Sequence, residues 1–188
     1  MRKNLGSMAS IFPMPVLMIA TYDNEGTIDV MNAAWGTMVD NKHVALNLTE
    51  SHKTVKNIKE TGCFTIGIAD SKHVVEADYV GIVSGNNTKD KFIKSGLTAT
   101  KAEFVNAPII NEFPIAIECK FIEYQSGKTG LGVIGEIVNV SVNENVLDEQ
   151  GKIDINKVDA ILYDTFNHGY YKVGEKVGQA FSDGNKLK

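Results

Sequence analysis

VLMIATYDNEGTIDVMNAAWGTMVDNKHVALNLTESHKT, residues 16–54, decides how the rest of the chain is read. Val16 to Tyr22 is a nearly continuous apolar run rich in strand formers. Asp23-Asn24-Glu25-Gly26 is a turn, with Gly26 able to supply a positive φ, and Thr27 to Met31 returns as a second strand. The segment therefore predicts a β-hairpin. Asn32-Ala33-Ala34-Trp35-Gly36 follows it, and Val44 to Leu48 is a third strand with the polar Asn47 inside it. Ser51-His52-Lys53-Thr54 then opens a helix predicted over 51–61. Val55 and Ile58 share one face, lysines and Glu60 take the other, and Gly62 stops it.

The ends of these elements suggest a ligand. A helix N-terminus presents free backbone N–H groups and a partial positive charge, which suits a phosphate. Asn32 and Trp35 just upstream suit a flat polar ring. The combination points to a phosphorylated aromatic cofactor rather than a metal ion or a nucleic acid.

Further along, Phe64 to Ala69 alternates as a strand, Val74 to Val83 suits a helix, and Asp90 to Ser95 is a short helix ending at Gly96. Ile115 to Tyr124 and Val133 to Val142 are β-rich and flank a glycine-rich loop, Gly127 to Gly132. A polar turn occupies Asn143 to Gly151, Ile153 to Tyr163 suits a last short strand or helix, and Ser182 to Lys188 is a polar, frayed tail. Neither repeats nor low-complexity linkers appear. Many short strands with few helices predict a mainly β protein, a barrel with peripheral helices.

At 188 residues and 43% hydrophobic content the chain suits one domain, 1–188, with its core at about 13–181. A net charge of −4 draws it neither to nucleic acid nor to an anionic membrane. The apolar run from Ile11 to Ala20 is interrupted by Pro13 and Pro15, and no stretch reaches membrane-spanning length. A cytoplasmic protein is expected. Cys63 and Cys119 lie far apart in apolar segments, as free buried thiols or, less simply, as a disulfide. The four histidines show no metal-ligand spacing, so no metal site is expected.

Two motifs mislead. Gly130-Leu131-Gly132-Val133-Ile134-Gly135 fits G-x-G-x-x-G, but a dinucleotide site needs a helix after the glycines. Here Glu136-Ile137-Val138-Asn139-Val140 continues as a strand. Gly127-Lys128-Thr129 resembles the end of a P-loop, yet Ile122 stands where its first glycine belongs and no helix follows. No G-x-S-x-G nucleophile elbow is present.

The hairpin, the Asn-Ala-Ala-Trp segment and the Lys-Thr helix start together resemble the flavin reductase-like family with its FMN-binding split barrel, in particular its flavoredoxin-type branch. The match runs from Pro13-Met14-Pro15-Val16-Leu17 through Gly26 to Trp35 and His52-Lys53-Thr54. It continues in Ser84-Gly85, Asp90-Lys91-Phe92, Glu118-Cys119, Gly135-Glu136, Tyr170-Tyr171 and Gly174-Glu175, and so covers roughly Pro13 to Phe181. The resemblance implies a six-stranded Greek-key split barrel working as a homodimer, with FMN at or near the subunit interface. It also implies that members either reduce flavin with NAD(P)H or pass electrons through a bound FMN.

Carried over residue by residue, the resemblance places Asn32, Ala33, Ala34 and Trp35 along the flavin and Ser51, His52, Lys53 and Thr54 at its phosphate. Asn47, Leu48, Thr49, Ser84, Gly85 and Lys91 complete the candidate cofactor-binding set. Each has a plainer alternative: Asn32 as a turn cap, Trp35 as core or dimer packing, Asn47 bonded to backbone, and Ser51 and Thr54 as helix caps. Asp90-Lys91 also suits a solvated helix start. His168, Tyr170 and Tyr171 form a late aromatic cluster that suits either barrel packing or the flavin face. One departure stands out. Many members carry Gly-Asp-His shortly before the strand matching Val133 to Val138, in a segment linked to nicotinamide binding. This chain has Gly127-Lys128-Thr129-Gly130 there.

A flavin carries its own redox chemistry, so no protein acid or base is obligatory and no catalytic residue is assigned. The expected activity is an NAD(P)H-dependent flavin reductase-type oxidoreductase. The alternatives are an electron carrier with a protein partner and no direct NAD(P)H oxidation, or a non-catalytic FMN- or haem-binding barrel.

Overall fold

A computed structural model describes residues 1–188. The first half contains β1 (Met14–Pro15), β2 (Leu17–Tyr22), β3 (Ile28–Ala33), β4 (Gly36–Met38), β5 (His43–Leu46), α1 (Lys53–Thr61), β6 (Cys63–Ile68), α2 (Val74–Ile82) and α3 (Lys91–Ser95). The second contains β7 (Ala99–Lys101), β8 (Pro108–Ile110), β9 (Ile115–Gln125), β10 (Gly132–Val142), α4 (Ile155–Val158), β11 (Ile161–Tyr163) and β12 (Tyr170–Lys172). No helix is long and apolar enough to cross a membrane.

The main sheet is antiparallel throughout, in the order β3-β2-β6-β9-β10-β5-β4. Its two edge strands are consecutive in the chain, joined only by Ala34 and Trp35. Six gaps of about 4.8 Å would hold the edges of a flat sheet roughly 29 Å apart. The three Cα steps from Ala33 to Gly36 reach at most about 11 Å. The sheet must therefore curl until β3 and β4 stand side by side. They share no ladder, so the barrel is split at this seam.

One core cluster fills the barrel. Leu17, Ile19, Ala33, Leu46, Phe64, Ile66, Cys119 and Val133 come from six strands, β2, β3, β5, β6, β9 and β10. The expected six-stranded lining is thus present, and the three-residue β4 adds a seventh strand to the sheet without adding a side chain to this cluster. On α1, Val55 and Ile58 are fully buried in the same cluster, so this helix plugs one end of the barrel. Burying each such side chain contributes on the order of 1.5–3 kcal/mol. A second cluster lies on the outer face: Val16, Met18 and Ala20 meet Ala77 and Val80 of α2 and Ile161 of β11. Both faces of β2 are covered, which explains its unbroken apolar sequence.

The hairpin forms as expected, with Gly26 at φ 81°. Gly62, at φ 74°, ends α1 by donating its N–H to the Ile58 carbonyl. The third strand is shorter than the sequence suggests: β5 stops at Leu46, and Asn47 lies outside it and exposed. After Leu46 the chain turns on itself, the Leu48 N–H donating to the Leu46 carbonyl at 2.8 Å and the Asn47 N–H to the Trp35 carbonyl at 2.8 Å. Gly132 at the start of β10, φ 75°, lets the backbones pass closely here: a Cβ there would sit 2.3 Å from the Leu46 carbonyl oxygen and 3.0 Å from the Asn47 Cα. The two glycine motifs behave as the sequence indicates, since Gly132–Val142 is a strand and no helix follows Thr129. Both cysteines are free and buried. Cys63 pairs across the ladder with Lys120 and Cys119 with Phe64, so this one-residue stagger sends the two thiols to opposite faces of the sheet. The disulfide alternative is thereby excluded.

Candidate functional site

Two clefts open at the seam and run into each other. The first, of about 290 Å³, is lined by Met31, Asn32, Ala33, Ala34, Trp35, Asn47, Leu48, His52, Asp78, Gly81, Ile82, Tyr163 and Tyr170. The second, of about 270 Å³, shares Met31, Asn32, His52, Gly81 and Ile82 with it and continues past Lys53, Thr54, Ser84, Gly85 and Lys91. Both exist because the barrel is split: β3 supplies one wall, the 47–54 segment the other, and α2 lies across the top.

The first cleft is mostly apolar. Ala33 and Ala34 line it with small side chains, and Trp35 is 48% exposed rather than packed in the core. The Trp35 ring lies 6.2 Å from that of Tyr163, which in turn lies 6.1 Å from Tyr170. His168 reaches the Tyr163 hydroxyl through Nδ1 at 2.5 Å. Tyr170 donates to Asp78 Oδ1 at 2.8 Å, and burial followed by that carboxylate pushes its phenol up to about 12. Tyr171 points elsewhere: it is exposed and packs edge-on against Phe12.

The second cleft is polar. It begins at the N-terminus of α1, where His52 occupies the cap position in an extended conformation and no side chain makes a capping hydrogen bond. The first-turn N–H groups have no acceptor within their own helix. The plainer alternative, Ser51 or Thr54 as a helix cap, is not realised. The Ser51 carbonyl accepts from Asn86, and the Thr54 hydroxyl donates to Asp29 Oδ2 at 2.5 Å. Asp29 also meets Lys91 Nζ at 3.0 Å, with Lys91 3% and Asp29 6% exposed. Gly85 permits this packing, since a Cβ there would lie 2.3 Å from Asp29 Oδ1. Lys53 is less committed, partly exposed and 3.4 Å from Asp23. His52 Nδ1 is buried with no partner in the chain, as is Asn57 Oδ1 of α1.

The flavin reductase-like domain model matches residues 8–172. The chain belongs to the flavin reductase-like family. Flavoredoxin of Desulfovibrio vulgaris (Miyazaki F) is 41% identical, with a TM-score of 0.91 over 98% of this chain and 100% of that one. Flavoredoxin from Methanosarcina acetivorans is 28% identical, with a TM-score of 0.87 over 100% and 98%. An FMN-binding domain of a flavin reductases-like enzyme from Shewanella baltica is 18% identical, with a TM-score of 0.76 over 88% of each chain. That last likeness shows the fold alone.

Of the residues carried over from the family resemblance, Asn32, Ala33, Ala34, Trp35, Asn47, Leu48 and His52 line the first cleft, and Lys53, Thr54, Ser84, Gly85 and Lys91 join Asn32 and His52 in the second. Thr49 and Ser51 line neither. Both are exposed, and the Thr49 carbonyl accepts the His52 N–H. Asn47 reaches the cleft from an exposed position, not as the buried strand residue its sequence context suggests. Leu48 turns its side chain into the barrel core, and its carbonyl accepts from the Tyr124 hydroxyl. Sequence reasoning missed Asp29, Asp78, Gly81 and Tyr163. Asp29 had a readable signal, a lone acid in the apolar run Ile28-Asp29-Val30, whereas Asp78 stands two residues after Glu76 and had none. No group of three or more His, Cys, Asp or Glu is placed to hold a metal ion.

Proposed function

We propose that the joined clefts hold FMN and that the protein is an FMN-dependent oxidoreductase of the flavin reductase type. The observation that carries this reading is the pairing of an apolar, aromatic-lined cleft with a polar one ending on a helix N-terminus that no side chain caps. Their dimensions suit a small-molecule site. Asn32, Ala33, Ala34 and Trp35 would hold the ring. The first-turn amides of α1 and Lys53 would hold the phosphate, with Ser84 and Gly85 beside it. Lys91 neutralises Asp29, so that this carboxylate does not repel a dianion. Thr54 acts through the same buried pair, and the unpartnered His52 Nδ1 meets the ligand where the clefts join.

When bound, the flavin supplies hydride and single-electron transfer. The chain's contribution is binding, orientation and exclusion of water. NAD(P)H is the proposed electron donor. A second reading, electron transfer to a protein partner without direct NAD(P)H oxidation, is favoured by the 126–131 loop, which reads Ser-Gly-Lys-Thr-Gly-Leu in place of the nicotinamide-linked Gly-Asp-His. We treat the chain as one FMN-binding unit working as a cytoplasmic homodimer. Residues 1–13 and 171–188 are exposed throughout and carry Leu5, Ile11, Val177 and Phe181, apolar side chains that a second copy would cover.

The test is an absorbance spectrum of the purified protein reconstituted with FMN, before and after anaerobic NADH or NADPH. A perturbed flavin spectrum bleached by either nucleotide supports the reductase. A perturbed spectrum bleached only through an added reductase supports the carrier. A spectrum identical to free FMN contradicts both.

A further inference from the structure

Asn32 is oriented from behind by two long hydrogen bonds. Its Nδ2 donates to the Ala77 carbonyl at 3.2 Å and to the Tyr170 hydroxyl at 3.4 Å. A backbone carbonyl only accepts, so the atom facing Ala77 must be the NH2 group and not Oδ1. The Tyr170 contact agrees. That hydroxyl gives its own proton to Asp78 at 2.8 Å, leaving a lone pair for Asn32. Because the phenol titrates only near 12, raised first by burial and then by Asp78, this donor order persists at physiological pH. Gly81 makes the approach possible: a Cβ on this residue of α2 would lie 3.0 Å from the Asn32 Cβ. Both amide protons are thus engaged. Oδ1 is bonded to no group of the chain, it is not among the buried unpaired atoms, and Asn32 lines both clefts.

We infer that Asn32 Oδ1 is a fixed hydrogen-bond acceptor that selects ring ligands presenting an imide N–H, with Tyr170, Asp78 and Gly81 as its positioning residues. The inference rests on the FMN reading and deepens it, because the flavin ring carries one such group, N3–H between two carbonyls. An amide free to turn would serve donors and acceptors alike. An amide pinned from behind by one carbonyl and one phenol serves donors only. A ring methylated at N3 loses the hydrogen bond and leaves Oδ1 desolvated without a partner.

The experiment is an equilibrium titration of the full-length protein with FMN and with 3-methyl-FMN, read by flavin absorbance and fluorescence. The wild type is expected to bind FMN about ten- to a hundredfold tighter than the methylated flavin. Asn32→Ala should bring that ratio to about one, and Tyr170→Phe should reduce it severalfold even where the affinities for both flavins change. A purely structural role for Tyr170 would weaken both flavins together and leave the ratio alone. Equal binding of the two flavins by the wild type, or an unchanged ratio in Asn32→Ala, overturns the inference while the FMN site stands. Failure to bind FMN at all removes the inference together with the reading beneath it.

Discussion

Lys91→Met lowers the unfolding free energy by about 3–5 kcal/mol, because it strands the Asp29 carboxylate in the protein with only the Thr54 hydroxyl for company. The sequence reading leaves Lys91 either beside the cofactor or on a solvated helix start, and a solvated lysine would cost almost nothing on replacement. In the structure Lys91 is 3% exposed, tucked under Gly85 against β3. Losing one member of a buried pair costs far more than losing both. Asp29→Asn combined with Lys91→Met should therefore recover most of the stability. For a chain of this size the single variant should melt lower by roughly 6–20 °C. Denaturant unfolding of the two variants and the wild type checks this. A single variant within about 1 kcal/mol of wild type would show that the pair is solvated after all.

Lys53→Ala has the opposite profile: unchanged stability and weakened cofactor binding. Its partner Asp23 is 3.4 Å away, the pair is only partly buried, and a long ion pair still reached by solvent contributes about 0–1 kcal/mol. Lys53 lines the polar cleft, and if its ammonium turns from Asp23 to a phosphate there, the charge-assisted hydrogen bond is worth about ten- to a hundredfold in affinity. FMN should lose that factor, and riboflavin, which lacks the phosphate, should lose none. Parallel titrations with the two flavins separate this charge effect from a general loosening of the site. Thr54→Ala is not an equivalent test. Its hydroxyl is spent on Asp29, so its loss acts first on the fold.

The barrel was legible because its signals are local. A fully apolar strand, an acidic turn closed by Gly26 and a helix ended by Gly62 each follow from short-range chemistry, and the family resemblance ordered them. The short strands were not legible. β4, β7, β8 and β12 have three residues each, too few to show a period, and their partners lie elsewhere in the chain: β4 pairs with β5, β7 with β8 and β12 with β11. Asn47 was misplaced for a different reason. It sits in a tight turn after Leu46 that is packed against Gly132, some 85 residues later, and no window of sequence contains both. The same holds for the site. Small residues and a helix start marked the 32–35 and 51–54 segments. By contrast, the bonds from Asp29 to Lys91 and from Tyr170 to Asp78 join residues 62 and 92 positions apart, which only the folded chain brings together.

A crystal structure of the protein grown with FMN tests the central claim most directly. The account predicts the phosphate against the first-turn amides of α1 and Lys53, and the ring over Ala33 to Trp35 with N3–H on Asn32. A seam filled by side chains of a second copy, or FMN bound elsewhere on the barrel, would contradict it.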